Sequence, residues 1–335
     1  MTKAQTIERM AGQRIMAGFH GTTLNPDLRF LIDTVGACGI ILFSRNIESA
    51  DQLRDLCAGA ADYAASAGLP RLLIAVDQEG GSVARLKPPQ FEYLPGAPEL
   101  EDETDAKTCA ALTAKQFRWL HINMNMAPVL DVAPPEFDSI MNDRIYGRDP
   151  DRVSRMGRAV IQGLSNGGIL PVAKHFPGIG RTTSDSHFDR PDLAVSLESL
   201  ENYDLIPFGD AIRADVSGIM LSHIRYPAID GDWPASLSTI IARDLLRNKL
   251  GYTGAVFTDD LEMGAISKYY DISEIMERVL ETETDVALIC ESCSLTGEAF
   301  EAMCRHLADS PAHAEKAKQS IRRIAALKEF LNEPN

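Results

Sequence analysis

The sequence predicts a single (β/α)8 barrel spanning residues 1–335, and three observations carry that prediction. Eight short apolar runs rich in Ile, Val, Leu and Met recur along the chain. Longer stretches with helical spacing separate them, and polar residues stand at the ends of several runs. Near-continuous apolarity fits strands covered on both faces, as in a parallel sheet packed by helices. Repeated alternation of such strands with helices is the arithmetic of the closed barrel.

The candidate strands are 14–19, 39–44, 72–77, 122–127, 170–174, 218–223, 254–259 and 285–290. Helical spacing covers 50–65, 105–121, 152–166, 197–213, 237–250, 274–281 and a last amphipathic segment near 312–331. Trp119 lies within a helical stretch and is expected in the core, with Phe176 and Tyr146 as core or wall. The acidic run 101–105 reads as a solvated approach to a helix. Three connections, 78–100, 128–151 and 176–191, are too long and decorated for simple turns. Pro88, Pro89, Pro95, Pro134 and Pro135 stiffen them, and Gly178 and Gly180 are expected to loosen the third. All three follow a strand, which in a barrel puts them on the carboxyl-terminal face where active sites form.

Composition narrows the function. The chain has 335 residues, 45% apolar and 24% charged, enough for a sizeable core. Lys+Arg 33 against Asp+Glu 48 gives a net charge of −15, which repels phosphate backbones and anionic membranes, so neither nucleic acid nor membrane is an expected partner. The start lacks a basic region followed by an unbroken apolar core, and the longest apolar run, 39–43, is far short of the roughly 20 residues that cross a bilayer. A soluble, cytoplasmic, monomeric protein is the expectation. Six scattered cysteines need no disulfide framework, and the lone CxxC of Cys290 and Cys293 reads as ordinary thiols before zinc or redox chemistry.

Chemistry enters at the strand ends. Asp77 closes the third run, Lys174 and His175 the fifth, His223 the sixth, and Asp259 with Asp260 the seventh. A single strand-terminal Asp is more often a helix cap than a catalyst. Four strands ending this way on one face point to a shared polar site. Three chemistries fit these residue types. A Schiff-base aldolase could use Lys174; a metal hydrolase could use His175, His187, His223 and two aspartates; a glycosidase could use one carboxylate as nucleophile with a separate proton donor. The metal reading lacks HxH or HExxH spacing, and Lys174 could equally donate to a hydroxylated substrate.

The loop KHFPGIGRTTSDSH, 174–187, resembles glycoside hydrolase family 3, and specifically its β-N-acetylglucosaminidase branch, which works in peptidoglycan recycling. Further agreement runs in order: GIILFSRNI at 39–47, VDQEGG at 76–81 with Arg85 after it, MAPVLDV at 126–132, DRIYGRDP at 143–150, PASLS at 234–238 and GYTGAVFTDDLEM at 251–263. The resemblance covers nearly the whole chain and is similar to the short members without an added domain.

The resemblance implies a retaining hydrolase of terminal β-linked N-acetylglucosamine, acting on muropeptide-type fragments with no metal or other cofactor. It makes Asp259 the nucleophile and the Asp185 and His187 dyad the proton donor, in place of the usual Glu. An imidazole suits this role because its unperturbed pKa of roughly 6.5 lets it give and take a proton near neutral pH. A Gly-containing loop suggests a dyad that swings in after the sugar binds. Asp77, Arg144, Lys174 and His175 are implied to hold the sugar hydroxyls, with Arg85 and His223 as further members.

Bland alternatives exist. Asp185 and His187 could be turn and cap residues, Arg144 could pair with Asp143 or Asp149, and His223 could be a satisfied interior histidine. A β-glucosidase or an N-acetylglucosaminide phosphorylase shares the fold, and a non-catalytic sugar sensor is the alternative of another class. The sequence departs from the family at Ser82, where Arg is common, at Ile179, where His is common, and at Glu262, usually small or amide-bearing.

Overall fold

The computed structural model describes residues 3–183 and 190–332. Each expected run holds one strand: β1 Ile15–Ala17, β2 Gly39–Leu42, β3 Leu73–Val76, β4 Met124–Asn125, β5 Leu170–Phe176, β6 Gly218–Leu221, β7 Ala255–Asp260 and β8 Val286–Ile289. They close in that order into a parallel barrel, with β1 bonded to both β2 and β8. β4 is short because side chains replace part of its ladder. Asn123 Oδ1 accepts from Ile74 N at 2.8 Å while its Nδ2 donates to Leu72 O at 2.9 Å, and Asn125 brackets both backbone groups of Gln78 at 3.0 Å.

The barrel interior is packed, with Met16, Ile41, Leu73, Met124, Val172, Met220, Phe257 and Leu288 in one buried cluster. Ile324 and Leu327 of the last helix, Pro311–Phe330, join that cluster and stop the amino-terminal end. The flanking helices start where caps dictate. Asp102 accepts from Thr104 N and Asp105 N, so the helix expected from 105 begins at Glu103; Asp149 caps Pro150–Asn166 and Ser310 caps the last helix. The stretch 197–213 is not one helix: Leu205 N reaches back to Leu200 O at 2.8 Å, widening the turn ahead of Pro207, which has no N–H to continue an ordinary ladder. Helices at Lys3–Gly12, Pro26–Phe30 and Cys293–Asp309 were not anticipated.

Two expectations need correction. Trp119 is 47% exposed, with Arg54 5.0 Å above its ring, because it ends the helix two residues past Phe117 and so faces away from the buried stripe. Gly178 and Gly180 sit in tight local packing, not in open loop. A Cβ at Gly180 would sit 2.0 Å from Val132 O and one at Gly178 2.9 Å from Asp204 Cβ, so both permit close packing.

Candidate active site

The carboxyl ends of β3, β5 and β7 and the loops after β2, β3 and β4 surround a cavity of about 210 Å³. Asp77, Glu79, Arg85, Arg144, Lys174, His175, Asp259 and Asp260 supply its polar lining, and Ile41, Phe43, Met220, Met263 and Leu288 its apolar wall. The side chains at 77 and 79 are bridged by Lys174, whose Nζ lies 2.7 Å from Asp77 Oδ1 and 2.7 Å from Glu79 Oε1. Arg144 grips both oxygens of Glu79, at 2.9 and 2.7 Å, and Arg85 Nη2 reaches Asp77 Oδ2 at 3.3 Å. The result is an alternating chain Arg85, Asp77, Lys174, Glu79, Arg144, with one more cation than carboxylates. Burial pushes the carboxyls of Asp77 and Glu79 up, but Lys174 and the arginines outweigh it and hold both below their usual range.

A second pair supports His175. Asp131, fully buried, accepts from His175 Nδ1 at 2.8 Å and from the amide of Ile179 at 2.8 Å. This fixes the imidazole plane and turns Nε2 away from Asp131. Asp259 lies beside this histidine. Burial raises its pKa, yet His175, His223, the Asp260 amide and Lys174 together bring it below the ordinary value. Its Oδ1 accepts that Asp260 amide at 2.9 Å. The neighbouring Asp260 behaves in the opposite way: burial, reinforced by Glu262 and Asp259, pushes it up to about 7. Two adjacent carboxyls are thus driven apart, and Asp259 is the one kept ionised.

His223 lies behind these residues and is not part of the lining. Its Nε2 donates to the Asp260 carbonyl at 2.8 Å, so Nδ1 is left to accept the Ser236 hydroxyl at 2.7 Å. The geometry therefore brings Asp77, Arg85, Arg144, Lys174, His175 and Asp259 together and sets His223 outside the cavity with both nitrogens engaged. Asp185 and His187 lie outside the described residues. Arg144 pairs with Glu79 rather than with Asp143, which instead accepts the Ser82 hydroxyl at 2.7 Å and ties the loops after β3 and β4. Glu262 accepts the amides of Glu291 and Ser292 at 2.5 and 3.1 Å, joining the loop after β7 to that after β8.

Glu79, Asp131 and Ser236 were not singled out from sequence. Glu79 had a signal, its two-residue offset from Asp77 in VDQEGG, which is the period that aligns side chains in extended chain. Asp131 and Ser236 sit within recognised motifs but act on other side chains, and nothing local marks that.

The arrangement separates the three chemistries. Lys174 is held charged between two carboxylates, which override its burial and raise its pKa, the reverse of what a Schiff-base lysine needs. Neither nitrogen of His223 is free for a metal, which removes one of the histidines that the metal reading needs. Cavity size alone would mislead. A larger one of about 680 Å³ opens on the opposite face, lined by Tyr252, Arg322, Arg323 and Phe330 among others, and none of the strand-end residues Asp77, Lys174 and Asp259 lines it. A barrel with an ionised carboxylate at its mouth, walled by fixed cations, meets the requirements of a glycoside hydrolase.

Comparison with known proteins narrows the class. Residues 6–327 match the family model of the glycosyl hydrolase family 3 N terminal domain. A β-hexosaminidase of Nitrosomonas eutropha is 35% identical over 285 residues, 82% of this chain and 80% of that protein. A family 3 β-N-acetylglucosaminidase from Paenibacillus superposes with a TM-score of 0.93 at 34% identity. It covers all of this chain, which spans 64% of that longer one. A β-N-acetylhexosaminidase from Beutenbergia cavernae gives 0.89 at 27% identity, covering 96% of this chain and 98% of its own. The chain belongs to glycosyl hydrolase family 3, and it is a glycoside hydrolase of the β-hexosaminidase type.

Proposed function

We propose that this hydrolase is a retaining exo-β-N-acetylglucosaminidase that removes terminal β-linked N-acetylglucosamine from muropeptide-type fragments in the cytoplasm. The observation that carries the reading is Asp259, ionised and, among the described residues, hydrogen-bonded through its carboxylate to the Asp260 amide alone, in a cavity of about 210 Å³. That volume is below the roughly 300 Å³ at which drug-sized pockets begin, so it suits one sugar ring and an exo cut. Relatives and structural neighbours named β-hexosaminidase and β-N-acetylglucosaminidase support the sugar assigned.

In this mechanism Asp259 attacks the anomeric carbon and forms a glycosyl ester, while His187, oriented by Asp185, protonates the departing oxygen. His187 then takes a proton from water as the ester is hydrolysed, and two displacements restore the configuration. Arg85, Arg144 and Lys174 donate to the sugar hydroxyls and Asp77 accepts from them. His175, set by Asp131, presents Nε2 to the ring. His223 and Ser236 are positioning residues: through the Asp260 carbonyl they hold the strand end from which Asp259 projects.

His187→Ala is expected to fold normally and lose most turnover on an aryl β-N-acetylglucosaminide. A 5-fluoro glycosyl fluoride is expected to label Asp259, detected by peptide mass; a label on any other residue would overturn the nucleophile assignment.

A further inference from the structure

The amino-terminal face of the barrel holds another cavity of about 210 Å³, between the helix Lys3–Gly12, the last helix and Pro70 ahead of β3. Its walls are apolar, from Met10, Pro70, Ile321, Ile324 and Ala325. Two cations, Arg9 and Lys328, line it, and among the described residues no carboxylate does. In a chain of net charge −15 that composition is a selective one.

Lys328 is 5% exposed and its Nζ donates to Gln13 Oε1 at 2.9 Å. Gln13 is itself fixed, its Nε2 donating to Gly36 O at 2.8 Å. An ammonium has three donors, and among the described residues Lys328 makes no ion pair. Burial accordingly pulls this ammonium below the usual lysine range. A buried cation without a counter-charge is costly, and an anion reaching it would relieve that cost. Arg9 stands at the exposed edge, its Nη2 only 3.4 Å from Gly68 O, and can follow the same anion. An inorganic ion would leave the apolar walls unused, and a neutral hydrocarbon would leave the ammonium bare.

We infer that this cavity is a binding site for a short aliphatic carboxylate, its head on Lys328 and Arg9 and its chain against Met10, Ile321 and Ile324. The site is separate from the catalytic cavity, with which it shares no lining residue.

Octanoate, octanol and octylammonium are the probes, added to the intact chain and followed by calorimetry and thermal unfolding. Octanoate is expected to bind and to raise the unfolding temperature with concentration, octanol more weakly and octylammonium not at all. Lys328→Met is expected to weaken octanoate by at least about tenfold while sparing octanol, the loss of one charge-assisted hydrogen bond. Ala325→Phe, which fills the cavity, is expected to abolish both. Octylammonium binding as well as octanoate, or octanoate affinity unchanged in Lys328→Met, overturns the site. Should Lys328→Met not fold, unchanged octanoate affinity in Ala325→Phe overturns it equally.

Discussion

Both mouths of this barrel carry a carboxylate among cations, and they differ in what is left over. At the amino-terminal mouth Asp285 is fully buried and fully engaged: Oδ2 accepts from Arg247 and from Val256 N, each at 2.8 Å, and Oδ1 from Arg323 at 2.9 Å. Arg14 beside it is also fully buried, and burial brings it down to about 10. At the carboxyl-terminal mouth the carboxylates of Asp77 and Glu79 are equally tied, yet they serve to fix cations around Asp259, whose carboxylate, among the described residues, is hydrogen-bonded only to its neighbour's amide. Residue type does not distinguish the two clusters. A reactive site is the one in which a charged group keeps an unfilled valence facing a cavity.

Exchanging the two carboxylates' fates tests this contrast. Asp259→Ala is expected to cost at least about 10³-fold in kcat on an aryl β-N-acetylglucosaminide and to leave the unfolding temperature within a few degrees of wild type. Asp285→Ala should do the reverse. Removing this buried anion from among Arg14, Arg247 and Arg323 costs about 3–5 kcal/mol, read as a lower denaturation midpoint, while kcat of the folded fraction stays near wild type. A large stability loss in the first variant, or none in the second, would erase the distinction between the mouths.

The same contrast explains what could be read from the chain. The barrel was legible because its strands are buried on both faces and so appear as unbroken apolar runs, even where β4 keeps only two ladder residues. The helix Cys293–Asp309 is hard to read because its buried stripe is built largely of Thr296, Ala299 and Ala302, though Ser292 caps it in the usual way. At the site, Asp77, Lys174 and Asp259 announce themselves by ending strands. Asp131 and Ser236 do not, since their work is to orient His175 and His223 and their position follows from how loops fold back on the barrel.

That indirect layer predicts smaller effects. Ser236→Ala removes the hydroxyl facing His223 Nδ1 and frees the imidazole to turn from the Asp260 carbonyl. About a tenfold fall in kcat with little change in KM is expected, with partial recovery in Ser236→Thr. A change in KM alone would place Ser236 in substrate binding instead.

The smallest effect should come from Asp260, where the neighbouring carboxyls part company. Its ordinary value is 3.8, and burial, Glu262 and Asp259 lift it to about 7 in the fold, so between those pH values the folded chain binds a proton that the unfolded chain has lost. Stability therefore falls as pH rises through that window and levels off above it. Asp260→Asn keeps an oxygen to accept the amides of Glu262 and Cys290 and never acquires the charge. The variant should match wild type near pH 4 and exceed it by about 1–2 kcal/mol at pH 8, a fraction of the full shift because the group is partly solvated. Asp204, also lifted to about 7, contributes the same slope to both proteins and cancels from the difference. Denaturation at the two pH values reads the result directly: a variant equal to wild type at pH 8 would mean that Asp260 ionises without penalty, and that the partition of charge toward Asp259 rests on His175, His223, Lys174 and the Asp260 amide.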